Sequence, residues 1–162
     1  MQILVDLQLL VLLTLANGTP VIAKRVLGDR WAWPLDGGLR FLDGRPLLGR
    51  SKTLRGILLA VLAAGAGGAL LGPGWQTGLV VGATAMAGDL LSSFVKRRLD
   101  RKPSSQAMGL DQVPESLLPL FACRAALGLG LLDILAVLAA FFVGEIALSR
   151  LLYRLHVRDE PY

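Results

Sequence analysis

The chain has 162 residues, of which 54% are hydrophobic and only 18% charged, and its mean hydropathy is +0.59. A soluble domain of this size carries about 25% charged residues and buries too little surface to hide so many Leu and Ala side chains, which excludes an ordinary soluble enzyme. The single Cys excludes a disulfide framework and a cysteine zinc site, while the net charge of +5 points to nucleic acid or to a membrane, depending on where the charges sit.

The first apolar run extends from about Gln2 to Ala23, interrupted by Asn17 and Pro20. No Lys or Arg precedes it, so it does not read as a signal peptide. A second run, Leu54 to Gly72, has no charge after Arg55, and a third, Trp75 to Val95, carries only Asp89. Each has roughly the 20 residues that cross a hydrocarbon layer. The region from Val113 to Tyr153 is too long for one span and breaks at Leu127-Gly128-Leu129-Gly130, which gives five helices in all.

Loop charge orients them. Lys24, Arg25, Arg30, Arg40, Arg45, Arg50, Lys52 and Arg55 lie between runs one and two, and Lys96, Arg97, Arg98, Arg101 and Lys102 follow run three. The Gly72-Pro73-Gly74 turn has no basic residue. Positive charge marks cytoplasmic loops, here about residues 24–55 and 96–112, so the N-terminus is expected outside. An odd number of spans also leaves Arg150, Arg154 and Arg158 inside. The expectation is an all-α integral membrane protein of the cell membrane, one membrane domain over residues 1–162, with about five transmembrane helices and a cytoplasmic C-terminus. The basic charge then serves topology, and no nucleic-acid partner is expected. Ala64, Gly68 and Gly72, with Gly74, Gly78 and Gly82, set small residues at helical spacing, which suits close helix packing or a homodimer.

Three constellations carry chemistry. Asp89 stands inside an apolar span, where a carboxylate is costly and needs a polar partner. Ser93, Lys96 and Arg97 share its helix face and lead towards the cytoplasm. A hard oxygen ligand beside cations suits Mg²⁺ and phosphate. Snorkelling basic residues at a helix end explain Lys96 to Arg98, but not Asp89. In Leu110-Asp111-Gln112-Val113-Pro114-Glu115, Asp111 and Glu115 fall on one helix face, and helix capping explains them as well as metal binding does. In the long loop, Pro34-Leu35-Asp36-Gly37-Gly38 precedes Gly49-Arg50-Ser51-Lys52-Thr53-Leu54-Arg55-Gly56, where glycines and cations at a helix start suit phosphate. Gly44 to Ser51 nearly spells a P-loop, but Arg50 replaces its Lys and no strand precedes it. His156 is the only histidine, Cys123 reads as a small apolar packer, and Arg124, Asp133 and Glu145 read as membrane-edge charges.

Ala16-Asn17-Gly18-Thr19-Pro20, Pro34-Leu35-Asp36-Gly37-Gly38, Asp43-Gly44-Arg45, Ser51-Lys52-Thr53-Leu54-Arg55-Gly56, Gly88-Asp89-Leu90, Lys96-Arg97-Arg98 and Leu110-Asp111-Gln112 follow in order. Together they resemble the CDP-archaeol synthase family, which is related to CDP-diacylglycerol synthases. Ser93, Lys96, Arg97 and Lys102 match the S-x-x-[KR]-R-x4-K part of the latter's signature, and Pro103 replaces its final Asp. Asp111 matches the next Asp, Gln112 replaces an Arg, and Glu115 stands one residue beyond the expected second carboxylate.

The resemblance implies a Mg²⁺-dependent nucleotidyltransferase that converts CTP and a lipid phosphate, an archaeal-type ether lipid or similar, to a CDP-activated lipid and pyrophosphate. It further implies an active site facing the cytoplasm. Asp89 and Asp111 would hold Mg²⁺, with Glu115 a third carboxylate. Lys52, Arg55, Lys96 and Arg97 would hold phosphates, while Ser93, Thr53, Asn17, Asp36 and Gln112 would orient substrate groups. Two other readings are a phosphatidate cytidylyltransferase-like enzyme for another lipid phosphate and a non-enzymatic membrane transport or scaffold protein. The second explains the spans and glycines, but not the clustering of carboxylates and cations.

Overall fold

A computed structural model describes residues 2–101, 105 and 107–155. Lys102, Pro103, His156 and Arg158, considered above, lie outside them. Among the described residues five helices follow one another: α1 (Ile3–Leu27), α2 (Leu54–Leu71), α3 (Trp75–Arg98), α4 (Gln112–Leu127) and α5 (Leu131–Arg154). The fold is all-helical, with two isolated bridge pairs, Pro34 with Thr53 and Arg40 with Pro46, in the long loop. Four helices, α1, α2, α3 and α5, are long and apolar enough to cross a membrane, as an integral membrane protein requires. The fourth, α4, has 16 residues and therefore spans only about 24 Å.

The helix ends follow from local chemistry. The Thr53 side chain accepts the Gly56 N–H at 3.2 Å and caps α2. Gly72 and Gly128 end α2 and α4 with φ of 114° and 62°, conformations that glycine adopts without penalty. Asn17 and Pro20 do not break α1, which runs on to Leu27. The Asn17 amide donates to the Leu13 carbonyl at 3.0 Å and the Thr19 hydroxyl to that of Leu15 at 2.6 Å, so both polar side chains are absorbed into the helix.

The core lies where α1 meets α3, α4 and α5, and includes Leu9, Leu12, Leu13, Val81, Leu120 and Val137. Along α2 and α3 the small residues let backbones touch. A Cβ at Gly78 would lie 2.9 Å from the Gly65 Cα, and one at Gly82 would lie 2.9 Å from the Val61 Cα. The glycine stripe is thus engaged within one chain. Cys123 is buried as a free thiol, as an apolar packer should be.

Candidate active site

The long loop folds back on the end of α3. Asp36 organises it: its carboxylate accepts the N–H groups of Gly38 at 3.0 Å, Leu48 at 2.9 Å and Gly49 at 3.0 Å. Burial alone would raise this carboxyl, but the three N–H donors outweigh burial and hold it below the usual carboxylate range. The loop's two arms are tied by Leu35 N–H to the Lys52 carbonyl at 2.8 Å and Leu54 N–H to the Trp33 carbonyl at 3.1 Å. Arg55 donates to the carbonyls of Gly28 and Arg30 and ties the start of the loop to α2.

Arg98 fastens the loop tip to α3. Its Nε lies 3.2 Å from Asp43 Oδ2, and its Nη2 donates to the Pro46 carbonyl at 2.6 Å. The guanidinium stands 4.8 Å from the ring centres of both Phe41 and Phe94, which meet edge to face. Arg45 in turn donates to the Arg98 carbonyl. The consequence falls on Lys52, whose ammonium reaches α3 and donates to both oxygens of Asp89 at 2.6 Å. Burial alone would lower this lysine, but the Asp89 carboxylate, with Glu115 and Asp111 beyond it, holds it above the usual range.

Asp89 has a second neighbour across the helix interface. Gly88 faces the start of α4, where a Cβ would come within 2.7 Å of the Glu115 nitrogen. Lacking one, α3 and α4 approach closely enough for the Asp89 and Glu115 carboxyls to share a hydrogen bond. The other predicted carboxylate is turned elsewhere. Asp111 Oδ1 pairs with the Lys96 ammonium at 2.6 Å, and its Oδ2 accepts the Ala107 N–H at 2.8 Å. Lys96 also donates to the Ser105 carbonyl at 3.1 Å. Asp111 stands at the N-cap of α4 but makes no side-chain capping bond, so capping does not explain it. Gln112 accepts the Gly109 N–H at 2.8 Å, and Ser93 and Arg97 are buried on the α3 face below Lys96.

The structure therefore gathers Lys52, Asp89, Glu115, Lys96 and Asp111 where loop, α3 and α4 meet. Thr53, Arg55 and Asp36 brace the loop that delivers Lys52. Asn17 lies apart, lining a groove between α1 and α5. Glu145 in α5, expected at a membrane edge, is within electrostatic range of Glu115. A lone acid in an apolar run was the signal available for it, as for Asp89. Arg98 was legible only as one of three consecutive basic residues.

A hard divalent cation fits this donor set. Mg²⁺ is commonly held by one or two carboxylates, with water and substrate phosphate completing its shell, and Asp89 and Glu115 bring two carboxyls into contact. Among the described residues no three carboxylates converge in metal-binding geometry.

Comparison with known proteins decides the family. A CDP-archaeol synthase of Sulfurisphaera tokodaii is 31% identical over 153 residues, covering 91% of this chain and 89% of its own. The chain belongs to the CDP-archaeol synthase family. Another member, from Pyrobaculum calidifontis, is 33% identical over 156 residues, covering 91% and 90% of the two chains. A CDP-archaeol synthase of Hyperthermus butylicus is 40% identical over 104 residues, covering 60% and 59%. A solved structure described as an intramembrane enzyme for archaeal membrane lipids biosynthesis superposes with a TM-score of 0.71 at 30% identity, covering 86% of this chain and 91% of that one. No family model matches the chain. As a CDP-archaeol synthase family member the protein is an enzyme, a cytidylyltransferase of lipid biosynthesis set in a membrane.

Proposed function

We propose that the protein joins CTP to an ether-type lipid phosphate at the cytoplasmic face of the cell membrane, giving a CDP-activated lipid and pyrophosphate, with Mg²⁺ as cofactor. The observation that carries this reading is the meeting of Lys52, Asp89 and Glu115 with the Lys96–Asp111 pair, beside an apolar bundle. The lipid identity is supported by the names of the relatives, and the cytoplasmic side by the basic loops.

In this reading a phosphate oxygen of the lipid attacks the α-phosphorus of CTP. The bond from that phosphorus to the bridging oxygen breaks, and pyrophosphate leaves with the electron pair. Such a transfer relies on positioning and charge neutralisation rather than on a protein nucleophile. Asp89 and Glu115 would hold Mg²⁺, which would draw charge from the phosphate oxygens. Lys52, which donates to Asp89, would also offer its ammonium to a phosphate of the nucleotide. Lys96, fixed by Asp111, presents a second cation, and Arg97 adds charge beneath it. Asp36 keeps Lys52 in reach by holding the loop closed.

The test is purified protein with labelled CTP, Mg²⁺ and a panel of lipid phosphates, read as pyrophosphate release. Release with an ether-linked lipid phosphate, and its loss in Asp89→Asn, is expected. No release with any lipid would sink the reading.

A further inference from the structure

All three tryptophans of the chain stand at the ends of one span. The Trp33 carbonyl accepts the Leu54 N–H at 3.1 Å, which sets Trp33 level with the first residue of α2. Trp75 opens α3 just beyond the turn that ends α2. With 18 residues, α2 is about 27 Å long, close to the thickness of a hydrocarbon layer. The indoles therefore mark two levels one bilayer apart, the depths at which Trp collects in membrane proteins.

On the loop side, residues 28–33 are strapped across the ends of α1 and α2. The Gly28 N–H donates to the Lys24 carbonyl, and the carbonyls of Gly28 and Arg30 accept the Arg55 side chain. Trp31 remains 63% exposed and Trp33 67% exposed. Trp31 also holds a φ of 54°, a left-handed conformation that is costly for so bulky a residue. Backbone strain of this kind collects where a ligand is held.

Charge selects the partner. Lys24, Arg25 and Arg30 outnumber Asp29 beside these indoles, and Arg25 and Arg30 are exposed. Around Trp75, residues 70–80 carry no charge at all. Indoles alone suit any headgroup layer, whereas indoles with cations suit an anionic one. A soluble partner would have to enter the plane of the headgroups to reach residues fixed at the helix ends.

We infer that Trp31 and Trp33, with Arg25 and Arg30, form a docking surface for anionic lipid headgroups on the loop side of the membrane. It lies apart from the carboxylates but shares a backbone with them, since the Leu35 N–H donates to the Lys52 carbonyl two residues beyond Trp33. Seating the indoles thus holds the arm that carries Lys52 against the membrane surface.

The test uses the full chain carrying Trp75→Phe, so that only the loop-side indoles emit, in vesicles without CTP. Its outcome is therefore independent of the cytidylyltransferase reading. In one sample a minority of phosphatidylglycerol in phosphatidylcholine is brominated just below the headgroup. In the other, the same fraction of phosphatidylcholine is brominated instead. Brominated phosphatidylglycerol is expected to quench at least about twofold more, since each basic residue near the surface favours anionic lipid by about fivefold. Arg25→Gln combined with Arg30→Gln should abolish that excess; an excess that survives overturns the proposal. Equal quenching in the parent overturns it too, as does free access of acrylamide with no bromine quenching. Quenching by added CTP alone would assign the indoles to the nucleotide, and emission that follows only the protein-to-lipid ratio would assign them to a second copy; either overturns the surface. Should Trp75→Phe fail to fold, the parent chain serves, because no charge beside Trp75 biases the two lipids.

Discussion

Asp111 and Glu115 lie four residues apart at the start of α4, yet they serve different partners. Glu115 turns to Asp89, whereas Asp111 turns to Lys96. Their replacements should differ accordingly. Glu115→Gln is expected to raise the Mg²⁺ concentration for half-maximal pyrophosphate release by about 10–100-fold, the usual cost of disturbing a metal site. Asp111→Asn should leave that midpoint near the parent value and raise KM for CTP, because the cation it fixes would no longer be held. Titrating Mg²⁺ and CTP against both variants checks the division. The acids and lysines were legible in sequence because they stand out in an apolar chain. Their pairing was not, since spacing on α4 gives a shared face but no partner.

Asp36 was read as a substrate-orienting residue, and its carboxylate is engaged by three backbone N–H groups of its own loop. The short side chain competes for local backbone donors, and residue type alone does not reveal which donors it wins. Its folded-state carboxyl lies below the ordinary value of 3.8, so its stabilisation is complete above that pH and is lost as pH falls through the folded value. Protease cleavage within residues 28–53 should therefore rise at pH below about 3.8 in the parent. Asp36→Ala should show raised cleavage already at neutral pH, with about 1–3 kcal/mol of loop stability lost.

Among the elements, α3 does most to shape the site: α2 packs on its first half, α4 on its middle, and the loop on its last turn. Glycine makes the first two contacts intimate. Gly88→Ala should push α4 away and cost about 1–3 kcal/mol through overpacking. Its activity should fall more than its stability, because the displaced group is Glu115. Thermal unfolding in detergent beside pyrophosphate release measures both. The helices themselves were legible because span length is set by the bilayer and turns by glycine and proline. The loop's fold was not, since it depends on contacts between distant residues such as Arg98 and Phe41.

For the whole molecule, the buried Cys123 makes the orientation in the membrane measurable. In a Cys123→Ala background, Leu42→Cys, at a loop position 97% exposed, should react with an impermeant maleimide only when the cytoplasmic face is presented. Gln76→Cys, beside the Gly72–Gly74 turn, should react from the other side only. Labelling of sealed vesicles of both orientations reads this directly; reaction of Leu42→Cys from the outer side would invert the topology.

Lys52 bears on how the chain enters its membrane at all. A bare Asp89 would be an unneutralised charge beneath the surface, and newly made chain meets lipid before it meets nucleotide. The tethered ammonium is an internal counter-ion, present from the moment the loop folds, and in the proposed reaction it would be ceded in part to a phosphate. Biogenesis and turnover then place opposite demands on one side chain. Lys52→Met should accordingly yield less inserted protein even in cells where the enzyme is never used, a deficit that quantitative blotting of membrane fractions would record.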